Sequence, residues 1–167
     1  MKKNTPVKKK LTGKQLSNHL KRKLEKILIV FPVDEPSFRV AQYTFRALGQ
    51  QDGCQKNYKY IINEQFKDLF HLRTGSMTLI RNSEYENMLS DEKEILDQLQ
   101  NIQYDIIIDL NSKFHLGIAR LISLLQADLK VGFSTPFSDK FYNIQLDISK
   151  SGIMEKGYKQ VNMMLGL

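Results

Sequence analysis

The chain has a single cysteine, no apolar run long enough to span a bilayer, and no glycine-rich loop after any apolar stretch. Each shortage excludes a class of chemistry. One cysteine rules out an internal disulfide framework and a cysteine-rich zinc site. Cys54, in the polar turn QDGCQKN with no activating neighbour in sequence, makes a poor catalytic thiol. No apolar run approaches the roughly 18 residues that a membrane span requires. The first 26 residues lack the apolar centre and small-residue cleavage site of a secretory signal. The turn after the first apolar run reads VDEPS rather than G-x-G-x-x-G, so no tightly bound dinucleotide and no other cofactor is expected. His19, His71 and His115 lack ligand spacing, and no metal is expected either. The simplest setting is a bacterial cytoplasm, with peripheral attachment at the inner membrane face as the variant.

Charge is present but unevenly placed. The net charge of the 167 residues is +7. Residues 1–26 hold ten Lys or Arg against one acid, Glu25, giving +9, whereas the remainder holds 15 basic and 17 acidic residues, giving −2. Residues 1–10, MKKNTPVKKK, have too little apolar surface to fold and read as a disordered basic tail. Residues 11–25 read as a basic amphipathic helix, with Leu16, Leu20, Leu24 and then Ile27 forming one thin apolar stripe. Three roles fit this segment. Lys8, Lys9, Lys10, Lys21, Arg22 and Lys23 can meet an anionic membrane surface, for which four aliphatic residues and no aromatic make a weak anchor. They can meet nucleic-acid phosphates. Or the segment is a solubilising tail on a helix docked against the domain.

Residues 26–167 alternate between two periodicities. KILIVFPV (26–33) and YDIIIDL (104–110) are the strongest strands, continuous apolar runs of the kind buried on both faces. YKYIIN (58–63), MTLIRN (77–82) and 129–133 are further strands, and FYNIQLDI (141–148) a weaker, edge-like one. Pro36 suits the first turn of a helix running to Gly49. Helices are also expected over 64–72, over 84–100 with Met88, Leu89, Ile95, Leu96 and Leu99 inward, and over 114–127. The last runs through 152–167 with Ile153, Val161, Met164 and Leu165 spaced for one face, although Gly157 weakens it.

Such alternation predicts an α/β fold: a Rossmann-like, doubly wound parallel sheet in three α/β/α layers, preceded by the basic helix. Right-handed crossovers make 3-2-1-4-5 the default strand order. The strands at 26–33 and 104–110 then adjoin at the topological switch point, and a ligand crevice lies beyond their carboxyl ends. Asp34, Glu35 and Ser37 follow the first of these, Asn111, Ser112, Lys113 and His115 the second, and Ser134 and Thr135 the next strand. Asn111 or Ser112 can cap the following helix, whose N-terminus favours an anion such as phosphate. Equally, Asn111 and Ser112 are only a cap, Lys113 is solvated and His115 sits at a helix edge. Asp109, at a strand end, can reach the crevice, whereas Asp105, at its start, faces a turn or pairs with a lysine.

KILIVFPV, FRALG (45–49), YDIIIDL, LKVGFS (129–134) and GYKQVNMMLGL (157–167) together resemble the amino-terminal domain of the bacterial lipopolysaccharide heptosyltransferases, two-domain enzymes of the GT-B glycosyltransferase fold. The likeness covers about residues 26–167. It implies the half of the fold that receives acceptor, the nucleotide-sugar donor being held mainly by the other half. It also implies a Gly-Asp pair after the first strand with the Asp as catalytic base. Pro36-Ser37 stands at the matching place, and a serine hydroxyl cannot accept a proton near neutral pH as a carboxylate can. Asp34 and Glu35 are the only stand-ins close by. The expectation is a stand-alone, non-catalytic binding or interaction domain whose partner is a protein or an envelope-precursor molecule. The alternatives are half of a glycosyltransferase completed by a separate donor-binding chain, and a surface adaptor acting through the basic segment.

Overall fold

The computed structural model describes residues 24–50, 56–81 and 92–166. Six parallel strands form one sheet in the order β3-β2-β1-β4-β5-β6. They are β1 (Lys26–Val30), β2 (Asn57–Asn63), β3 (Ser76–Ile80), β4 (Tyr104–Asp109), β5 (Ala127–Phe133) and β6 (Ile144–Leu146). The helices are α1 (Glu35–Thr44), α2 (Glu92–Leu99), α3 (Leu116–Leu124) and α4 (Met154–Leu165). This is the Rossmann-like α/β arrangement expected from the alternating pattern, extended by a sixth strand at the β5 edge.

The two richest apolar runs became the centre for a simple reason. Ile27, Leu28, Ile29 and Val30 are fully buried, because alternate residues face opposite layers and both layers are occupied. Ile27 and Ile29 pack with Phe38 and Ala41 of α1 and with Tyr158 and Val161 of α4. Leu28 and Val30 pack with Ile95 and Leu99 of α2 and with Ile118 and Leu121 of α3. In register, Ile27 meets Ile106 and Val30 meets Asp109, so β1 and β4 end side by side.

Several boundaries differ from the expected ones. Residues 24 and 25 are not helical: Leu24 is buried, and the N–H groups of Glu25 and Lys26 both donate to Asp105 Oδ2, at 2.7 and 2.8 Å. Asp105 therefore grips backbone rather than a lysine. The tail (1–10) and helix residues 11–23, including the six basic residues named above, lie outside the described residues, as does Cys54. Helix α1 stops at Thr44, and Gly49 (φ +75) lies beyond it, where a Cβ would run into the Thr74 side chain. The stretch after β2 is a 3-10 helix, Glu64–Leu69. Only Glu92–Leu99 of the expected 84–100 helix is described, and Met88 and Leu89 lie outside. Helix α3 is shorter than 114–127 at both ends, and Ala127 already belongs to β5. No Gly or Pro marks that helix end in the sequence, so periodicity alone overran it. Ile153 caps α4 from an exposed position rather than facing inward.

Gly157 sits inside α4 without breaking it. A Cβ there would stand 2.5 Å from the Phe133 ring, so the missing side chain lets α4 settle onto β5. Among the described residues no helix is long and apolar enough to cross a membrane.

Candidate functional site

Beyond Val30 and Asp109 the chain continues its pairing for one more residue on each side. Phe31 N–H donates to Ile61 carbonyl at 2.9 Å and Leu110 N–H to Val30 carbonyl at 3.0 Å. The turn after β1 then begins α1, with Asp34 as its N-cap: Oδ1 accepts the Ser37 N–H at 2.9 Å. Glu35 is exposed and bound to Arg39, one turn on, with nitrogen–oxygen distances of 2.7 and 2.8 Å. Ser37 is buried. All three post-β1 candidates therefore lie at the cap or in the first turn of α1.

After β4 the chain does something the sequence did not suggest. Asn111 turns back toward the sheet instead of capping α3. Its Oδ1 accepts the Val33 N–H at 3.0 Å, and its Nδ2 donates to Asp109 Oδ1 at 2.7 Å. Asp109 Oδ1 also accepts the Asn111 backbone N–H at 3.0 Å. The side chain of Asn111 thus bridges the two strand ends across the switch point. Neither Asn111 nor Ser112 caps α3. His115 holds the N-cap position, without a side-chain cap hydrogen bond. Ser112 is half-buried and Lys113 exposed.

Asp109 is the centre of this arrangement, at 4% exposure. Its second oxygen accepts the Tyr142 hydroxyl at 2.5 Å, a length typical of a charge-assisted O–H···O⁻ bond. Burial raises the pKa of Asp109. The hydrogen bonds from Tyr142 and Asn111 and the charge of His115 pull the other way and only partly offset it. Burial and the Asp109 carboxylate together push the Tyr142 phenol far above its ordinary range, so Tyr142 is a fixed donor. Tyr158 is raised in the same way, first by burial and then by Asp34 and Asp109, and donates to the Leu110 carbonyl at 2.9 Å.

Ser134 and Thr135 lie apart from this knot. Ser134 is exposed, and its N–H pairs with Leu146 carbonyl at 2.9 Å. Thr135 N–H donates to Ser138 Oγ at 2.8 Å, while Ser138 in turn donates to the Phe133 carbonyl at 2.6 Å. These bonds shape the β5–β6 connection and bring Tyr142 over the sheet. The structure therefore groups Asn111 with Asp109 and with the backbone of Val33. It leaves Ser112, Lys113, His115, Ser134 and Thr135 outside that group.

Tyr142 and Asn63 were not among the sequence candidates. Asn63, at the end of β2, donates from Nδ2 to the Val33 carbonyl at 3.2 Å and caps the 3-10 helix through Oδ1. An asparagine closing an apolar strand is a legible signal for such a role. Tyr142 had a subtler one: Gly132 lies beneath it, and a Cβ at that glycine would stand 2.7 Å from the Tyr142 ring. Among the described residues no cluster of three or more His, Cys, Asp or Glu suits a metal ion.

A six-stranded parallel sheet in this order, with polar residues where β1 and β4 end, defines a Rossmann-like α/β domain. Two solved structures are similar to it. One is E. coli heptosyltransferase WaaC with ADP, at TM-score 0.60 and 20% identity, over 84% of this chain and 47% of that one. The other is the glycosyl transferase family 9 protein from Veillonella parvula DSM 2008, at TM-score 0.63 and 15% identity, over 85% of this chain and 42% of that one. The chain spans less than half the length of either, and at these identities the likeness is one of fold. No family model matches the sequence, and no curated protein matches it.

Proposed function

We propose that this domain acts by binding rather than by transferring sugar. One observation carries the reading: each carboxylate at the ends of β1 and β4 is engaged in holding structure. Asp34 caps α1, Glu35 pairs with Arg39, and Asp109 is buried under Tyr142 and Asn111. A general base needs a carboxylate within hydrogen-bond reach of an acceptor hydroxyl. Ser37, at the place where the resemblance puts that base, is buried and lacks the chemistry. The binding face is then the rim of Ser112, Lys113, His115, Ser134 and Thr135, which suits an anionic or hydroxyl-rich group of a precursor molecule or a protein partner. The test is sugar transfer from a panel of nucleotide-sugars to lipid-linked and free acceptors by the purified protein. No turnover is expected. Turnover that disappears in Asp34→Ala would overturn the reading.

The second reading, half of a glycosyltransferase completed by a donor-binding partner, draws on the spans of 47% and 42% in the two solved structures. In that case Asp34 would have to exchange its cap for an acceptor hydroxyl. Adding a separately produced donor-binding half and finding Asp34-dependent transfer would favour it.

A further inference from the structure

The amino end of the sheet, opposite the switch point, holds a cavity of about 110 Å³ lined by Lys26, Asn57, Lys59, Asn101, Ile102 and Tyr104. Strand register puts three of these on one face. Lys26 pairs with Asn57 and Leu28 with Lys59, so Lys26, Asn57 and Lys59 share the side on which Leu28 packs against α2. The connection from α2 to β4 brings Asn101 and Ile102 across, and Tyr104 is the buried floor. Its hydroxyl is tied to the Leu99 carbonyl at 3.3 Å. Four of the six lining side chains carry N–H donors, two of them as ammonium groups, and no carboxylate lines the cavity. Asp105 flanks the site in sequence but accepts the backbone N–H groups of Glu25 and Lys26. Lys26 is exposed and Lys59 half-buried, its ammonium 3.3 Å from the Ser76 hydroxyl. We propose that this cavity binds a phosphate group, free or at the end of a small phosphomonoester.

Size and charge select that ligand. Pockets for drug-sized ligands and whole cofactors run to about 300–1,000 Å³, so this one has room for a single compact group. Free phosphate or a phosphomonoester is mostly a dianion at neutral pH, its second pKa being about 6, and matches two ammonium groups. A carboxylate or a phosphodiester brings one charge only. Lysine holds phosphate as a point charge, and the two carboxamides offer further N–H donors to its remaining oxygens. The inference is independent of the proposed binding rim, which lies at the other end of the sheet.

The side-chain amides of Asn57 and Asn101 report on the cavity directly. In isotope-labelled full-length protein at fixed ionic strength, their nuclear magnetic resonance signals should move saturably as inorganic phosphate is added. Methyl phosphate should move them too, and the tighter of the two names the source. Sodium acetate should leave them in place. Lys26→Gln and Lys59→Gln each remove one charge-assisted contact and should weaken phosphate about tenfold, the backbone amide spectrum checking the fold. Affinity should also drop below a pH of about 6, where the phosphate takes up its second proton. Signals unmoved by either phosphate, signals moved as readily by acetate, or cavity variants that titrate like wild type would each overturn the proposal. So would a loss of phosphate binding confined to Lys113→Gln, which would put the anion at the carboxyl-end rim.

Discussion

The hydroxyl of Tyr142 reaches Asp109 across Gly132, joining the β5–β6 connection to the end of β4 by a 2.5 Å hydrogen bond in a buried setting. The two residues are 33 apart in sequence, and each depends on the other. Asp109 is a costly charge to bury, and Tyr142 is one of the donors that make it tolerable.

Tyr142→Phe leaves the ring in place and removes that donor. A buried carboxylate stripped of one partner should cost about 1–3 kcal/mol of stability. Urea unfolding near neutral pH, with the slope unchanged, measures it. Because the raised pKa of Asp109 should rise further in this variant, its deficit should shrink as the pH is lowered.

The wild-type chain has its own pH signature. The folded-state pKa of Asp109 lies above its unfolded value, so the folded form binds more protons in that window. The stability this group contributes is greatest below the ordinary carboxylate pKa of about 4 and is lost as pH rises through the folded value. Asp109→Asn removes the titration. The stability of wild type relative to this variant should therefore fall as pH rises from about 4. A difference independent of pH would show that Asp109 does not titrate there.

Asn111 separates two effects through two substitutions. Asn111→Ala removes the acceptor for the Val33 N–H and the donor to Asp109, and should cost roughly 1–3 kcal/mol. Asn111→Asp keeps the acceptor but sets a second carboxylate where the amide met Asp109 at 2.7 Å. Like charges so close cannot both ionise freely, so this variant should be weak at neutral pH and recover in mild acid. Thermal unfolding at two pH values distinguishes the pair.

Gly157→Ala sets two magnitudes against each other. Alanine improves helix propensity by about 0.5–1 kcal/mol. Its Cβ would also stand 2.5 Å from the Phe133 ring, an overpacking that costs about 1–3 kcal/mol in a close-packed core. The packing cost is the larger, and the melting temperature should fall.

The sheet was legible in the sequence because its central strands are buried on both faces, and ILIV and IIID announce that without any periodicity. The switch point followed from connection rules alone. Its chemistry did not. DLNSK after a strand reads as a cap for the next helix, and nothing local shows that Asn111 turns inward to take the Val33 N–H. That depends on β1 and β4 ending in register, a property of pairing rather than of either segment. Tyr142 was hidden for a related reason. Its partner is two strands away in the sheet order from β6, and only Gly132 in β5 makes the crossing possible. The end of α3 escaped because no residue punctuates it.

Asp105 takes two consecutive backbone N–H groups where the described chain begins, and β1 follows at once between two parallel neighbours. Tension applied through the polypeptide ahead of Leu24 would reach the molecule at its middle strand. The load would fall along two ladders of hydrogen bonds in shear, shared from the first residue, rather than peeling an edge. An edge strand in the same position would offer one such ladder instead of two.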